Sequence, residues 1–138
     1  MDPLSLVSLV TLVFQTVTIL HNTLESIREA PDALSDLLSR TKSLQIMLHR
    51  LDNVRERLNP DRRQALNGMW DENRCRDTVE TLHSLVLKIA FKKGEVFKGD
   101  GVLSRIQWVL RKCTAEKLAE RLQVHKQDII SALVVLSL

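Results

Sequence analysis

Residues 3–24 form an uncharged stretch in a chain whose composition is 27% charged. Apolar residues recur through this stretch in alternating steps of four and three, which is the spacing of one face of an α-helix. This apolar seam comprises Leu6, Val10, Val13, Val17, Leu20, Leu24 and Ile27. The opposite side is a polar stripe of Ser8, Thr11, Gln15, Thr18, Asn22 and Ser26. Because surface helices of soluble proteins normally carry Lys, Glu and Arg on their wet face, this helix is suited either to a helical bundle or to lipid.

The composition of the chain favours a single all-α domain. Its 138 residues are enough for one domain with its own core. Aromatic residues make up 4% of the chain, and there are only four Gly and three Pro. That balance favours helices packed on helices over sheets, which use more aromatic and β-branched residues. We therefore predict one helical-bundle domain over residues 1–138, expected to be the N-terminal domain of a longer protein.

The order of apolar seams and breakers predicts an up-down four-helix bundle with a short accessory helix before the last long helix. Pro31 ends the first helix, and Asn59-Pro60-Asp61 ends the second and starts a short helical piece that reaches residues 67–68. The long helices are predicted over residues 4–29, 32–58, 70–91 and 115–137, and the accessory helix over residues 102–112. Their seams repeat about every 3.5 residues, as in left-handed bundles. A coiled-coil oligomer fits the same seams. The connectors between the first and second and between the second and third long helices are short, which predicts that these helices are antiparallel neighbours.

The first helix is long enough to cross a bilayer, for which about 20 apolar residues suffice. Ser, Thr, Gln, His and Asn interrupt it often, so we expect conditional insertion and no permanent span. A secretory signal is not expected, because the first charge is Asp2, where a signal peptide carries Lys or Arg. If the helix enters lipid, the inserting side chains are Leu4, Leu6, Val7, Leu9, Val10, Leu12, Val13, Phe14, Val17, Ile19, Leu20 and Leu24.

Cationic residues are densest between residues 88 and 112, although the net charge of the chain is only +3. They are Lys88, Lys92, Lys93, Lys98, Arg105, Arg111 and Lys112. A solvated basic connector explains this run, and so does a set of contacts with anionic lipid head groups. Nucleic acid is not an expected partner, because no aromatic platform accompanies the charges.

The sequence carries no recognisable catalytic or metal-binding pattern, so we expect no enzyme activity, no metal and no cofactor. The histidines lie on separate helices, and His125 is interpreted as a boundary residue with a hydrogen-bond partner. Cys75 lies on a core seam, as a small buried hydrophobe would, and the cysteine usage fits a reduced intracellular protein. Arg55 lies on the second seam and could pair with Glu25 or Glu29.

The chain resembles a group of fungal N-terminal domains that precede nucleotide-binding modules in STAND (NOD-like) receptors. The resemblance rests on Met1-Asp2-Pro3-Leu4-Ser5-Leu6, the uncharged helix, Leu37-Leu38 and the 44–51 run. It continues with Trp108 and with a final pattern running from Leu118 through Leu122, His125, Ile129 and Ala132 to Leu133. The group includes HeLo-like cell-death domains and the domain named after azaphilone-cluster proteins.

The resemblance implies a four-helix bundle whose N-terminal helix, at Leu4–Leu24 in this chain, is released on oligomerisation and permeabilises the plasma membrane. The resemblance also implies that the protein is cytoplasmic and relocates to the plasma membrane on activation. The implied partners are membrane lipid, other copies of the chain, and a NOD-like receptor or amyloid-motif protein in fungal innate immunity and programmed cell death. The alternative is a non-catalytic interaction and oligomerisation module that never enters lipid. Core packing explains the seam of the first helix equally well.

Overall fold

The computed structural model describes residues 3–25, 31–94, 110 and 115–136. Within these residues the chain forms five helices and no strands, so the all-α prediction is confirmed. The helices are α1 (Pro3–Glu25), α2 (Asp32–Arg55), α3 (Pro60–Met69), α4 (Glu72–Gly94) and α5 (Ala115–Leu136). The accessory helix expected at residues 102–112 lies outside the described residues, apart from Leu110, which is helical and buried.

The start of α3 follows the predicted capping pattern. The Asn59 side chain accepts a hydrogen bond from the backbone N–H of Arg62 at 2.9 Å, which satisfies one of the amides that an α-helix leaves unpaired at its N-terminus. Pro60 occupies the first turn, where no intrahelical donor is needed. Asp61 adds the negative charge that the positive end of the helix dipole favours.

Three helix boundaries differ from the sequence prediction by two or three residues, and one of them is the end of α4, which lies at Gly94 and not at residue 91. α2 ends at Arg55, three residues before the predicted end. Here the backbone tightens into turns, in which the Arg57 N–H donates to the Val54 oxygen at 3.0 Å and the Leu58 N–H to the Arg55 oxygen at 3.1 Å. The Arg63 side chain adds two bonds, from Nε to the Arg55 oxygen at 3.3 Å and from Nη2 to the Glu56 oxygen at 3.5 Å. α4 begins at Glu72, two residues after the predicted start, because Asp71 caps it by accepting from the Arg74 N–H at 3.0 Å.

Each of the four long helices packs against two of the others. α1 contacts α2 and α4, and α5 contacts the same two helices, while α3 packs against α5. α2 and α4 do not pack extensively against each other within the described residues. The expectation that these consecutive long helices are neighbours was therefore wrong. α3 connects α2 to α4 in the chain, and it packs against α5.

Side-chain contacts give the direction of each helix. Ser8 and Thr16 of α1 contact Arg76 and His83 of α4 in the same order along the chain, so α1 and α4 run parallel. The start of α2 lies beside the start of α5, where Asp32 and Ala115 line one cleft. Val7 of α1 lies beside the end of α2, which makes α1 and α2 antiparallel. Successive long helices therefore alternate in direction.

Apolar side chains from all five helices fill one core. Its largest fully buried members are leucines of α1, α2, α3 and α4, together with Trp70. Trp70 follows α3 in an extended conformation and is 2% exposed. The core therefore covers the buried face of every helix, and what remains for function is the outer faces and the two ends of the helix assembly.

Candidate functional site on the first helix

The buried face of α1 is broader than the predicted seam. Leu9, which was expected beside the polar stripe and not on the seam, is fully buried, whereas Val10 and Leu24 of the seam are only half-buried. Two threonines, Thr16 and Thr23, are also buried. The reason is that α1 packs between two helices, α2 and α4, so the buried arc is wider than a single seam. Thr16 and Thr23 are seven residues apart, but so are the exposed Thr11 and Thr18, so the spacing of the threonines could not have shown this second buried line.

The side chains expected to enter lipid divide among three environments in the folded protein. Leu6, Leu9, Val13, Val17 and Leu20 are buried, while Val10, Leu12, Ile19 and Leu24 are half-buried. Val7 and Phe14 are exposed, by 50% and 57% respectively. The side chain of Leu4 lies outside the described residues, as does Ile27. Most of the apolar surface of α1 is thus in use for packing, and Val7 and Phe14 remain on the outside.

The structure places the polar stripe of α1 on its exposed face. This face carries Ser8, Thr11, Gln15, Thr18 and Asn22, and Ser26 lies outside the described residues. The Thr11 hydroxyl donates to the Val7 carbonyl at 3.0 Å, and the Thr18 hydroxyl donates to the Phe14 carbonyl at 3.0 Å. These hydroxyls are satisfied within the helix itself, which is the arrangement that a threonine needs in a medium without water.

The buried threonines of α1 follow the same rule. Thr16 donates to the Leu12 carbonyl at 2.8 Å and Thr23 to the Ile19 carbonyl at 2.7 Å. The Thr16 oxygen also lies 3.0 Å from Nδ1 of His83 on α4. Since the single hydroxyl proton is already used, Nδ1 carries the proton that joins α4 to α1.

α4 makes the matching contact with α5. The Thr78 hydroxyl donates to the Arg74 carbonyl at 3.1 Å and lies 2.9 Å from Nε2 of His125, so Nε2 is the protonated nitrogen of that ring. Burial lowers the pKa of His125, opposed by the carboxylates of Asp128 and Asp71. The interpretation of His125 as a hydrogen-bonded boundary residue is confirmed.

Two other sequence interpretations have clear outcomes. Cys75 is fully buried, and burial raises the pKa of its thiol to about 12, so it is a core residue and not a nucleophile. Arg55 is buried at the end of α2, in a cleft with Val7 from the start of α1. Glu25 is at the other end of α1, where its Oε1 lies 3.1 Å from Nε2 of His21. The suggested Arg55–Glu25 pair is therefore wrong, and Glu29 lies outside the described residues.

The cationic run expected to meet anionic lipid is described only at its start. Lys88 is exposed on α4. The side chains of Lys92, Lys93, Lys98, Arg105, Arg111 and Lys112 lie outside the described residues. Among the described residues, no group of three or more His, Cys, Asp or Glu side chains could hold a metal ion.

One segment in the described part of the chain, Leu6–Glu25, is long and apolar enough to cross a membrane, and 39% of it is buried. By themselves length and composition are weak evidence, since the core helix of a soluble protein meets the same criteria. The site is thus an outer helical face that carries no charged residue from Val7 to Asn22. Its threonine hydroxyls are internally satisfied, and two exposed apolar side chains lie beside them.

Comparison with known proteins identifies the family. No curated protein and no solved structure matches the chain with significance. A family model described as the pigment biosynthesis cluster protein PigL N-terminal region matches residues 1–98. This family is associated with fungal azaphilone-type clusters, which confirms that part of the resemblance. Since the match covers more than half of the chain, including α1 to α4, the protein belongs to the PigL N-terminal family.

Proposed function

We propose that the chain is a HeLo-like effector domain that oligomerises and then targets or permeabilises a membrane through α1. In this proposal α1, α2, α4 and α5 make up an up-down four-helix bundle, and the segment before α5 supplies the accessory helix. The domain acts in fungal NOD-like-receptor signalling and cell death, without catalysis or a cofactor, and moves from the cytoplasm to the plasma membrane on activation. The observation that carries the proposal is the uncharged outer face of α1.

The internal hydrogen bonds of α1 support entry into lipid. A hydroxyl without a partner is costly in hydrocarbon, by about 2–7 kcal/mol depending on the reference state. All four described threonines of α1 already donate to carbonyls of their own helix. These bonds move with the helix, so they are retained when α1 leaves its neighbours.

The buried face of α1 limits where the helix can go. Leu6, Leu9, Val13 and Leu20 have no exposed surface, and each contributes about 1.5–3 kcal/mol by staying out of water. A released α1 in water would lose this stabilisation, whereas lipid chains would restore it. The helix therefore has two stable locations, the protein core and a hydrocarbon phase, and the switch between them requires a membrane close by.

Dye release from vesicles that contain anionic lipid tests the proposal. The chain is fused to an inducible dimerisation module so that it can be forced to oligomerise. Thr11→Arg leaves the exposed face soluble but adds about 2.5–3.5 kcal/mol to insertion at the membrane centre. Val124→Arg is the matched control, since Val124 is 55% exposed on α5. Circular dichroism verifies that both variants are folded.

We expect the original chain and Val124→Arg to release dye and Thr11→Arg to release none. Release by all three would contradict insertion of α1. No release from any of them, even after forced oligomerisation, would favour the alternative function, an interaction module that never enters lipid. Exposed Val7 and Phe14 would then be the first contacts to examine in such a module.

A further inference from the structure

Arginine and lysine occupy different parts of the chain. Residues 43–87 contain seven arginines and no lysine, whereas the remainder contains eight lysines and five arginines. Four exposed arginines of this region are close in sequence at the end of α2 and the start of α3: Arg50, Arg57, Arg62 and Arg63. We refer to these four residues as the arginine end. The distinction matters because a planar guanidinium can pair with two oxygens of one phosphate, which an ammonium cannot do.

The arginine end lies where α1 begins. Val7, one turn into α1, lines a cleft with Asp52, Arg55 and Arg63. Arg76 at the start of α4 donates to Ser8 of α1 at 3.0 Å. Lys88, the described member of the lysine-rich run, lies toward the other end of α4, away from the arginine end.

Two guanidinium groups of the arginine end are already oriented. Arg62 Nη1 donates to the Leu136 carbonyl at 2.7 Å, at the C-terminus of α5. Arg63 donates to the carbonyls of Arg55 and Glu56, at the C-terminus of α2. These bonds neutralise the negative ends of two helix dipoles. Each guanidinium has five donors, so both retain donors for a further acceptor without losing more side-chain freedom.

The other two arginines are available. The side chains of Arg50 and Arg57 are exposed and make no hydrogen bond or ion pair within the described part of the chain. Residues 50–63 contain five arginines against three carboxylates, those of Asp52, Glu56 and Asp61. The net charge of residues 50–63 is therefore positive, and the N–H donors of their guanidinium groups suit phosphate oxygens.

We propose that the arginine end binds the phosphate groups of an anionic phospholipid surface, so that the protein meets the membrane with the end at which α1 begins. This inference rests on the proposed function and adds its orientation. A lipid surface is the fitting source of the phosphates because the apolar segment Leu6–Glu25 starts at the same end. The phosphate contacts would form in the headgroup region of the bilayer, and the apolar helix would enter the hydrocarbon region beneath it.

Co-sedimentation with phosphatidylcholine vesicles, with or without phosphatidylserine, tests this orientation. Arg50→Glu combined with Arg57→Glu reverses two unpaired charges of the arginine end. The matched control is Lys42→Glu combined with Lys117→Glu, because both lysines are exposed; Lys42 lies in the middle of α2, and Lys117 lies near the start of α5, at the opposite end. Both pairs change the net charge equally. A third variant, Arg50→Lys with Arg57→Lys, keeps the charge and removes the guanidinium.

We expect binding only to vesicles with phosphatidylserine. The arginine reversal should lower partitioning at least about thirtyfold, since the loss of each basic residue near an anionic surface costs about fivefold and the two new carboxylates add repulsion. The lysine control should remain within about threefold, because charges more than a Debye length of about 8–10 Å from the surface that meets the lipid are largely screened. The Arg→Lys pair should bind more weakly than the original chain. Equal losses for both reversals, or no loss for the arginine pair, would overturn the inference.

Two further outcomes separate this inference from the proposed function and from a soluble ligand. Arginine-dependent sedimentation without dye release would leave the membrane orientation standing and remove insertion of α1. Dye release that is unchanged by the arginine reversal would leave the insertion of α1 standing and remove the membrane orientation. Calorimetric titration with inorganic phosphate completes the set, because tight binding of phosphate together with no binding to vesicles would show a phosphate site in place of a membrane surface.

Discussion

α1 and α5 have nearly the same length and pack against the same two helices, yet their outer faces differ. Each has leucine and valine or isoleucine side chains buried between α2 and α4. The exposed face of α5 carries Glu116, Lys117, Glu120, Arg121 and Asp128. The exposed face of α1, from Val7 to Asn22, carries no charged residue. Packing demands are similar on both sides, so they do not account for the uncharged face of α1.

The comparison separates two kinds of information in a helix. The buried face is determined by its neighbours, and substitutions there should affect stability in both helices alike. The exposed face is not needed for packing, and differences there reflect what the helix meets outside the folded domain. The predictions below test these two statements, beginning with the largest expected effect.

The buried faces of α1 and α5 should be equally important for stability. Leu20→Ala in α1 and Ile129→Ala in α5 each remove a side chain with no exposed surface. We expect each to lower the free energy of unfolding by about 2–5 kcal/mol, measured by urea denaturation. Ile46→Ala, at a site 53% exposed on α2, is the control and should cost less than about 1 kcal/mol. A much smaller cost for Leu20 would mean that α1 is only loosely docked.

The two threonine–histidine contacts of α4 should differ in strength. Thr78→Val leaves the Nε2–H of buried His125 without its acceptor and should cost about 1–3 kcal/mol. Thr16→Val affects half-buried His83, whose ring can turn to water, so about 0.5–1.5 kcal/mol is expected. Chemical denaturation of both variants measures the difference. A larger loss for Thr16→Val would reverse the order and indicate that α4 holds α1 more firmly than α5.

Acidification should weaken the contact between α4 and α5 through His125. Burial lowers the pKa of His125 in the folded protein, so below about pH 6.5, the ordinary histidine value, the unfolded chain binds more protons. The stability due to neutral His125 is therefore present above about pH 6.5 and declines as the pH falls toward the folded-state pKa. His125→Gln keeps a donor near Thr78 but does not titrate.

Urea denaturation between about pH 7.5 and about pH 5 should show a shallower pH dependence for His125→Gln than for the original chain. The acidic groups around the ring, Asp71 and Asp128, are common to both proteins and cancel in the comparison. His49→Gln, at an exposed position on α2, is the control and should leave the pH dependence unchanged. Identical slopes for the original chain and His125→Gln would contradict the assignment.

The exposed faces should tolerate exchange with little effect on stability. Thr11→Arg gives α1 a charge typical of α5, and Arg121→Thr gives α5 a residue typical of α1. Each should change the free energy of unfolding by no more than about 0.5 kcal/mol. In dye release only Thr11→Arg should have an effect. Loss of folding in Thr11→Arg would show that the outer face of α1 is covered by something within the protein.

The helices could be predicted from sequence because capping residues and apolar spacing are local. Asn59, Pro60 and Asp61 play the expected roles at the start of α3. The early end of α2 could not be predicted in this way, since it involves backbone turns over residues 54–58 and a bond from the side chain of Arg63, eight residues after Arg55. The neighbour relations also escaped prediction, because the path that α3 takes past α5 is set by tertiary packing and not by the length of a connector.

For the candidate site, the sequence alone predicted which face of α1 carries the polar stripe, but not what satisfies its hydroxyls. Residue types show that Thr11 and Thr18 are polar; only the structure shows that their protons are used within the helix. The arginine end escaped notice because Arg62 and Arg63 look like ordinary surface charges until their bonds to the ends of α5 and α2 are seen.

The position of Arg62 and Arg63 has a mechanical consequence. Two adjacent residues tie together the carboxyl ends of helices that are about eighty positions apart in sequence. A force applied at Leu136 would pass through Arg62 into α3 and through Arg63 into α2, so α2, α3 and α5 would bear the load as one cross-linked unit. α1 is not part of this tie. Under such a load α1 is held to this unit by its packing against α2 and α4, and none of the arginine bonds that form the tie reaches it.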